Sequence, residues 1–243
     1  MAVDYSRLAA DYDAARADET VDRDFWLLGL REMGDLRVGE RILDLGAGTG
    51  RFARLLAESA RVVALDTSRE MLLASKGKME FARARGDAHR LPFRDGTFDA
   101  TVVVMVLHHV AHLKAVLREI ARVSRKVVIA TTDMRTRDLG IMGEAFPSLV
   151  AIDRARFPRI DEIARDLEGA GFHRVRVEDR ALRRSLPVAA QIERVRKKYI
   201  STLDLIPEEE FRRGLAFLER ELPRRYGETF VVSGRFTFLG ASK

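Results

Sequence analysis

A chain of 243 residues with 47% hydrophobic residues can bury one sizeable core and reads as one domain. It has no apolar run near the roughly 18 residues of a membrane span, no apolar signal core around Asp4, Arg7, Asp11 and Asp13, and no cysteine for disulfides or thiol metal sites. The expectation is a protein of the cytoplasm with no membrane contact and no metal site, whose net charge of +6 suggests an anionic partner.

In chain order, residues 3–34 read as two helices, one through Tyr5, Leu8, Ala9 and Tyr12, the other through Phe25, Trp26, Leu27 and Leu30. Short apolar strands follow at 41–45, 61–66, 79–84, 98–105 and 126–131. Leu113, Val116, Leu117, Ile120 and Val123 recur at helical spacing and predict a helix over 110–124. A further helix over 159–170 ends at Gly171, a C-terminal glycine signal. Strands at 173–182 and 229–239 close the pattern. Alternation of strand and helix predicts a doubly wound α/β sheet.

The first strand runs into glycines at alternate positions, Gly46, Gly48 and Gly50, and then into a helix with Phe52, Leu55 and Leu56 on one face. Strand, glycine turn and helix let a ligand touch bare backbone at a helix N-terminus. The spacing is not that of the dinucleotide fingerprint, whose third glycine would fall at Arg51. Asp44, two residues before the first glycine, suits a ligand with an ammonium and a sulfonium better than a pyrophosphate. Here the chain resembles the class I S-adenosylmethionine-dependent methyltransferases. The second strand ends in Asp66, 20 residues after Gly46, where an acid can accept from both ribose hydroxyls. Ser68 is placed to cap the next helix, turning Met71 and Leu72 inward. Gly86-Asp87-Ala88, followed by Leu91-Pro92-Phe93 and Phe98-Asp99, resembles the adenine-contacting region of the ubiquinone-methyltransferase-like superfamily.

The resemblance covers about residues 1–133 in order and spacing. It implies a seven-stranded, mostly parallel Rossmann-like sheet with its last strand antiparallel, under an α-helical cap. It also implies S-adenosyl-L-methionine as the methyl donor. Asp87 would accept from the adenine amine and Ala88 would offer its N–H. Ala47, Thr67, Met71 and Leu107 would complete the donor set. Tyr12 would close over the donor as the family's N-terminal tyrosine does. The donor core is set at 35–131, and residues 1–34, 132–158 and 185–228 are assigned to the cap and acceptor.

Two departures bear on the acceptor. Quinone C-methyltransferases carry an Arg-Asn pair after the fourth strand, where this chain has Leu107-His108-His109-Val110; quinone methylation is not supported. The Asn/Asp-Pro-Pro-aromatic motif of DNA amino-methyltransferases is absent there too. His108 and His109 stand where the methyl group should point and are the candidate bases, since histidine titrates in the useful range. The alternative for each is a hydrogen-bonded packing residue. The cap segments carry apolar residues such as Phe146, Leu149 and Phe157, which suggest a small, partly apolar acceptor. The late basic residues, Arg194, Arg196, Lys197 and Lys198 among them, leave methylation of RNA or protein as the second reading, although a charge run on helices is ordinarily a solvated face. Monomer and homodimer both remain open. No asparagine and a single glutamine, Gln191, beside a charged fraction of 33% fit either a thermophile or codon bias.

Overall fold

The structure, a computed structural model, describes residues 22–75 and 81–243. The expected first helix, with Tyr5 and Tyr12, lies outside the described residues. Seven strands form one sheet in the order β3-β2-β1-β4-β5-β7-β6. They are β1 (Arg41–Leu45), β2 (Arg61–Asp66), β3 (Ala82–Arg85), β4 (Phe98–Val104), β5 (Ser124–Thr131), β6 (His173–Pro187) and β7 (Thr229–Ser242). The first five pair in parallel, and β7 runs antiparallel to both β5 and β6. The central strands are almost continuously apolar because helices cover both of their faces.

The two-residue period of the strands sorts their side chains between those faces. Ile42, Val62, Val102 and Val128 meet Trp26, Leu30 and Met33 of α1 (Arg23–Gly34) and Ala53 and Leu56 of α2 (Arg51–Ala57). Leu43, Val103, Val127 and Ile129 meet α4 (Leu113–Val123), which follows the short α3 (Arg69–Ala74) in sequence, and also meet Ile163 and Leu167 of a later helix (Ile160–Gly169). Residues 22–34 were expected in the cap. Instead α1 packs on the sheet, because Trp26, Leu30 and Met33 recur at helical spacing and form one buried stripe. Only its start, at Asp22 and Trp26, reaches the ligand crevice.

The segments 132–158 and 185–228 share a core of their own. The first forms α5 (Ile141–Ala145) and α6 (Pro147–Arg156), and the helix Ile160–Gly169 after them is α7. The second forms α8 (Val188–Arg196), a 3-10 turn at Ser201–Asp204 and α9 (Glu208–Tyr226). Phe146, Leu149, Val195, Leu203, Phe211 and Leu218 interlock at its centre. A two-stranded ribbon carries this cap. β7 pairs with β5 only between Ser242 and Thr237, but with β6 all the way to Pro187↔Thr229. The outer half of the ribbon therefore projects past the carboxyl edge of the sheet. β6 runs five residues beyond the expected 173–182 for the same reason: cross-strand hydrogen bonds keep it extended where the main sheet has ended. Among the described residues no helix is long and apolar enough to cross a membrane.

Candidate functional site

In an open α/β sheet the crevice forms where the strand order reverses, at the carboxyl ends of the strands. Here that point lies between β1 and β4. A cavity of about 410 Å³ opens there, between the sheet edge, the ribbon and the cap.

The glycine turn forms its floor. Gly46, Gly48 and Gly50 all have left-handed φ, at 71°, 55° and 77°. A Cβ on Gly46 would lie 2.5 Å from Val106, and one on Gly50 would lie 2.6 Å from Phe81, so these two glycines serve packing. A Cβ on Gly48 would meet nothing within 4 Å and would project into open space on the cavity wall. Gly48 thus presents bare backbone to the cavity. The Gly46 and Ala47 N–H groups donate to the Leu65 carbonyl, tying the turn to β2.

Asp66 is fixed at the end of β2. One carboxylate oxygen accepts the Gly48 N–H at 2.8 Å and the other the Ser68 N–H at 2.9 Å. Ser68 caps α3 as expected, accepting the Met71 N–H at 3.2 Å. Asp87 is held by His89, whose backbone N–H donates to it at 2.9 Å and whose Nδ1 lies 2.7 Å from the same oxygen. His89 Nε2 also hydrogen-bonds the Ala111 carbonyl, bridging the loops after β3 and β4. The backbone N–H and then the ring of His89 hold the Asp87 carboxyl below its usual range. The Ala111 carbonyl and then Asp87 raise His89.

Asp44 is placed differently from the expectation. It shares the α2 side of β1 with Ile42, is 2% exposed, and lies behind the turn rather than on the cavity wall. Burial pushes its carboxyl up to about 7, against a hydrogen bond from the Ala53 backbone, and the Asp66 charge adds to the rise. Its Oδ2 is buried without a hydrogen-bond partner among the described residues. Leu107 is also off the wall. It sits in the core against α4, because the 3-10 turn Leu107–His109 rotates it inward, and Val106 takes its place beside the glycine turn. Gly50 packs behind the wall. Of the other sequence-predicted residues, Gly46, Ala47, Gly48, Asp66, Thr67, Met71, Asp87, Ala88, His108 and His109 share the cavity. Tyr12 lies outside the described residues.

The two histidines face the cap. The His108 ring stacks on Phe157 of the cap segment, with centroids 4.1 Å apart and planes 9° from parallel, and His109 tilts against it at 3.9 Å. Arg156 lies 3.1 Å from His109 Nδ1. A guanidinium only donates, so Nδ1 accepts and the proton of a neutral His109 belongs on Nε2. Arg156 also donates to Thr202 Oγ1 at 3.2 Å, and Thr202 donates to the buried Asp153 at 2.5 Å. Burial raises the Asp153 carboxyl from its usual range, opposed by Thr202 and by the charges of Arg137 and Arg156.

Sequence reasoning missed several wall residues. Arg51, Met105 and Val106 adjoin the motifs and were within reach; Arg51 was noted only as the residue that breaks a dinucleotide pattern. Met105 has a left-handed φ of 54°, which no local residue preference announces. Trp26, Arg137, Asp153, Thr202 and Phe236 arrive from distant elements. The late basic residues prove to be largely paired on the surface, Arg196 with Glu193 and Glu219, and Arg224 and Arg225 with Glu221.

Residues 43–129 match the family described as the methyltransferase domain. Demethylmenaquinone methyltransferase of Mycolicibacterium gilvum is 39% identical over 123 residues, which is 50% of this chain and 54% of that protein. The Corynebacterium glutamicum enzyme of the same name is 40% identical over 101 residues, 41% of this chain and 44% of that one. The chain spans about half the length of the curated relatives it matches. Among solved structures, a methyltransferase assigned to an antibiotic-biosynthesis pathway in Anabaena variabilis is similar with a TM-score of 0.70 at 25% identity, covering 88% of this chain and 96% of that one. Phosphoethanolamine N-methyltransferase 2 of Haemonchus contortus, bound to S-adenosylhomocysteine, shares the fold with a TM-score of 0.61 at 18% identity, covering 98% of this chain and 59% of that one. Residues 43–129 are a methyltransferase domain of the class I, S-adenosylmethionine-dependent kind.

Proposed function

We propose that the chain transfers a methyl group from S-adenosylmethionine to a small-molecule acceptor held under the cap. The observation that carries the reading is Gly48. It is the one glycine of the turn whose missing side chain leaves space toward the cavity, and its N–H is bound to the acid that ends β2. The residues present fit the donor. Asp66 would accept from the ribose hydroxyls while its backbone contacts hold it still. Asp87, braced by His89, would accept from the adenine amine beside the Ala88 N–H, with Thr67 and Met71 lining the same stretch. Arg51, at the first turn of α2, offers a cation for the donor's carboxylate. Asp44 would act from behind, supporting the turn at the α2 N-terminus. Tyr12 is proposed to close the donor side.

When bound, the donor supplies a methyl group that carries its own leaving group. What the protein contributes is alignment and exclusion of water. The stacked His108 and Phe157 rings provide a flat wall for the acceptor at the mouth of β4. His109 is engaged at Nδ1 by Arg156 and presents a donor rather than a base. His108 is therefore the residue assigned to take a proton from a hydroxyl or amine acceptor.

The test is calorimetry with S-adenosylmethionine and S-adenosylhomocysteine on the wild type and on Asp66→Ala. Loss of the charge-assisted contacts should weaken both ligands by about tenfold or more. Equal affinity in the two proteins would overturn the donor site.

A further inference from the structure

We infer that His89 is a positioning residue that acts as an imidazolium, aiming Asp87 at the donor's adenine and tying that acid to the loop that carries His108 and His109. This rests on the methyl-transfer reading above and adds a proton-dependent element to its donor site.

Asp87 and His89 share one tight turn after β3. The Arg90 N–H donates to the Asp87 carbonyl at 3.1 Å, and the His89 N–H donates to Asp87 Oδ1 at 2.9 Å. An aspartate that accepts from the backbone two residues on braces such a turn from within. The same turn brings the His89 ring back to the carboxylate, with Nδ1 2.7 Å from Oδ1. Both bonds fall on Oδ1, which leaves Oδ2 as the oxygen for a ligand amine. Asp87 and His89 both line the cavity.

The other ring nitrogen meets a second acceptor. Nε2 hydrogen-bonds the Ala111 carbonyl, on the loop between the Leu107–His109 turn and α4. A carbonyl oxygen only accepts, so Nε2 carries a proton. Oδ1 already takes a backbone N–H and belongs to a carboxyl held below its usual range, so it accepts too, and Nδ1 carries the second proton. A ring that donates from both nitrogens is an imidazolium. Loss of either proton sets a lone pair against an oxygen and breaks one of the two ties. The rise of His89 above its ordinary value agrees, with the Ala111 carbonyl and then Asp87 as its causes.

The other titratable and charged groups around the ring have their own places. The His112 ring stands across the loop, with centroids 6.3 Å apart. Glu119 of α4 takes the Leu91 N–H and pairs with Arg122. Asp66 is held by Gly48 and Ser68, and Arg85 donates to the Thr67 carbonyl. Arg90 follows His89 in the turn, and Asp87 is the charge that acts on the ring. The tie to Ala111 reaches the acceptor side. His112, next in sequence, has a left-handed φ of 52°, a conformation that persists only where its surroundings over-determine it. The His89 bond is one such anchor. His108 and His109 stand at the start of the same loop, so the ring bridges the donor acid and the acceptor wall. Affinity for the adenine end is therefore greatest while His89 is charged and falls as pH rises through its folded pKa. By linkage, ligand binding draws that pKa higher.

The experiment is calorimetry from about pH 6 to about pH 9 on the wild type and on His89→Gln. The ligands are S-adenosylhomocysteine and 5′-methylthioadenosine, which has the adenosine part and no amino-acid part to titrate. Wild-type affinity for both should fall by about threefold to tenfold across the range. The variant should be weaker by that factor at the acid end and match the wild type at the alkaline end. Asp44, which titrates near 7, is common to both proteins and cancels in the comparison. By NMR, the His89 ring, assigned through its backbone, should titrate above 6.5 in the free wild type and higher still with ligand. Amide exchange over residues 106–112 should quicken in the variant. A His89 ring that titrates at or below 6.5, the same pH profile in both proteins, or unchanged exchange in the loop would each overturn the assignment. The wild-type titration needs no variant, so a misfolded His89→Gln does not shield it. Failure of the wild type to bind either ligand would remove the methyl-transfer reading and the adenine role with it, whereas a low His89 pKa beside normal binding overturns the His89 assignment alone.

Discussion

The sheet half and the cap half of this molecule solve different problems with different means. In the sheet half, β1, β2 and β4 end within reach of one another, and each strand end delivers part of one cavity wall: the glycine turn, Asp66, and the Met105-Val106 segment. Backbone hydrogen bonds in register fix those ends, so the surface is set by topology. In the cap, α5, α6, α8 and α9 have no such lattice and cohere through side chains around Phe146. One half presents a backbone cradle edged with acids, the other a side-chain chamber edged with arginines. On the function proposed above, the fold would supply donor binding and the additions to it selection.

The sharpest break between the halves is expected from Gly48→Val. It should abolish donor binding, by more than about a hundredfold, while the protein folds, because the new side chain points into the cavity. The left-handed φ adds a strain of about 1–2 kcal/mol. Gly46→Val, which drives a methyl into Val106, should lose the fold as well as the ligand. Calorimetry beside a melting scan separates the two, and donor binding by Gly48→Val would show that the turn is only structural.

Phe146→Ala tests the independence of the cap. Phe146 is fully buried, and the cavity left behind should cost about 3–5 kcal/mol of cap stability. Donor affinity should hold within a few-fold, since Phe146 does not line the ligand cavity. Of Phe146 and Tyr199, which the sequence offers together as residues that select the acceptor, Tyr199 stands on the cavity wall beside Phe157, and Phe146 is buried inside the cap. Hydrogen exchange that shows the sheet half loosening as much as the cap would erase the distinction.

Asp44 sharpens the account of the sheet half through pH. Its folded carboxyl titrates near 7, against an unfolded value of 3.8. Between those values the folded state holds the proton more tightly. Asp44 thus contributes a loss of stability as pH rises from about 4 to about 7, flat above that, of order 2–4 kcal/mol. Asp44→Asn should remove this slope from the ligand-free protein in denaturant titrations at a series of pH values. Because Asp44 sits behind the turn, donor affinity of the variant should fall only modestly. A loss beyond about tenfold would put the carboxylate in contact with the donor's ammonium.

A smaller effect is expected from Phe157→Ala. Removal of the ring stacked on His108 should reduce acceptor turnover by about tenfold and leave donor affinity within twofold, since the ring belongs to the cap wall. Equal damage to donor binding would mean that the chamber is not divided as described.

The sequence alone determined the alternation of strand and helix, the glycine turn, and the acids that end β2 and follow β3. These are local facts: an apolar run bounded by glycine, an acid at a strand end, a serine ahead of a helix. β1 and β2 fall at their expected residues because period and punctuation agree there. Tertiary structure decided which way each side chain faces. Asp44 and Leu107 lie in the expected segments but off the wall, since strand alternation sends one under α2 and the 3-10 turn rotates the other into the core. It also decided that α1 belongs to the sheet, that the ribbon outruns it, and that Arg137, Arg194, Asp153 and Phe157 meet above the glycine turn. Arg194 and the glycine turn lie far along the chain from the segment that holds the other three, and no local pattern records a meeting that only packing brings about.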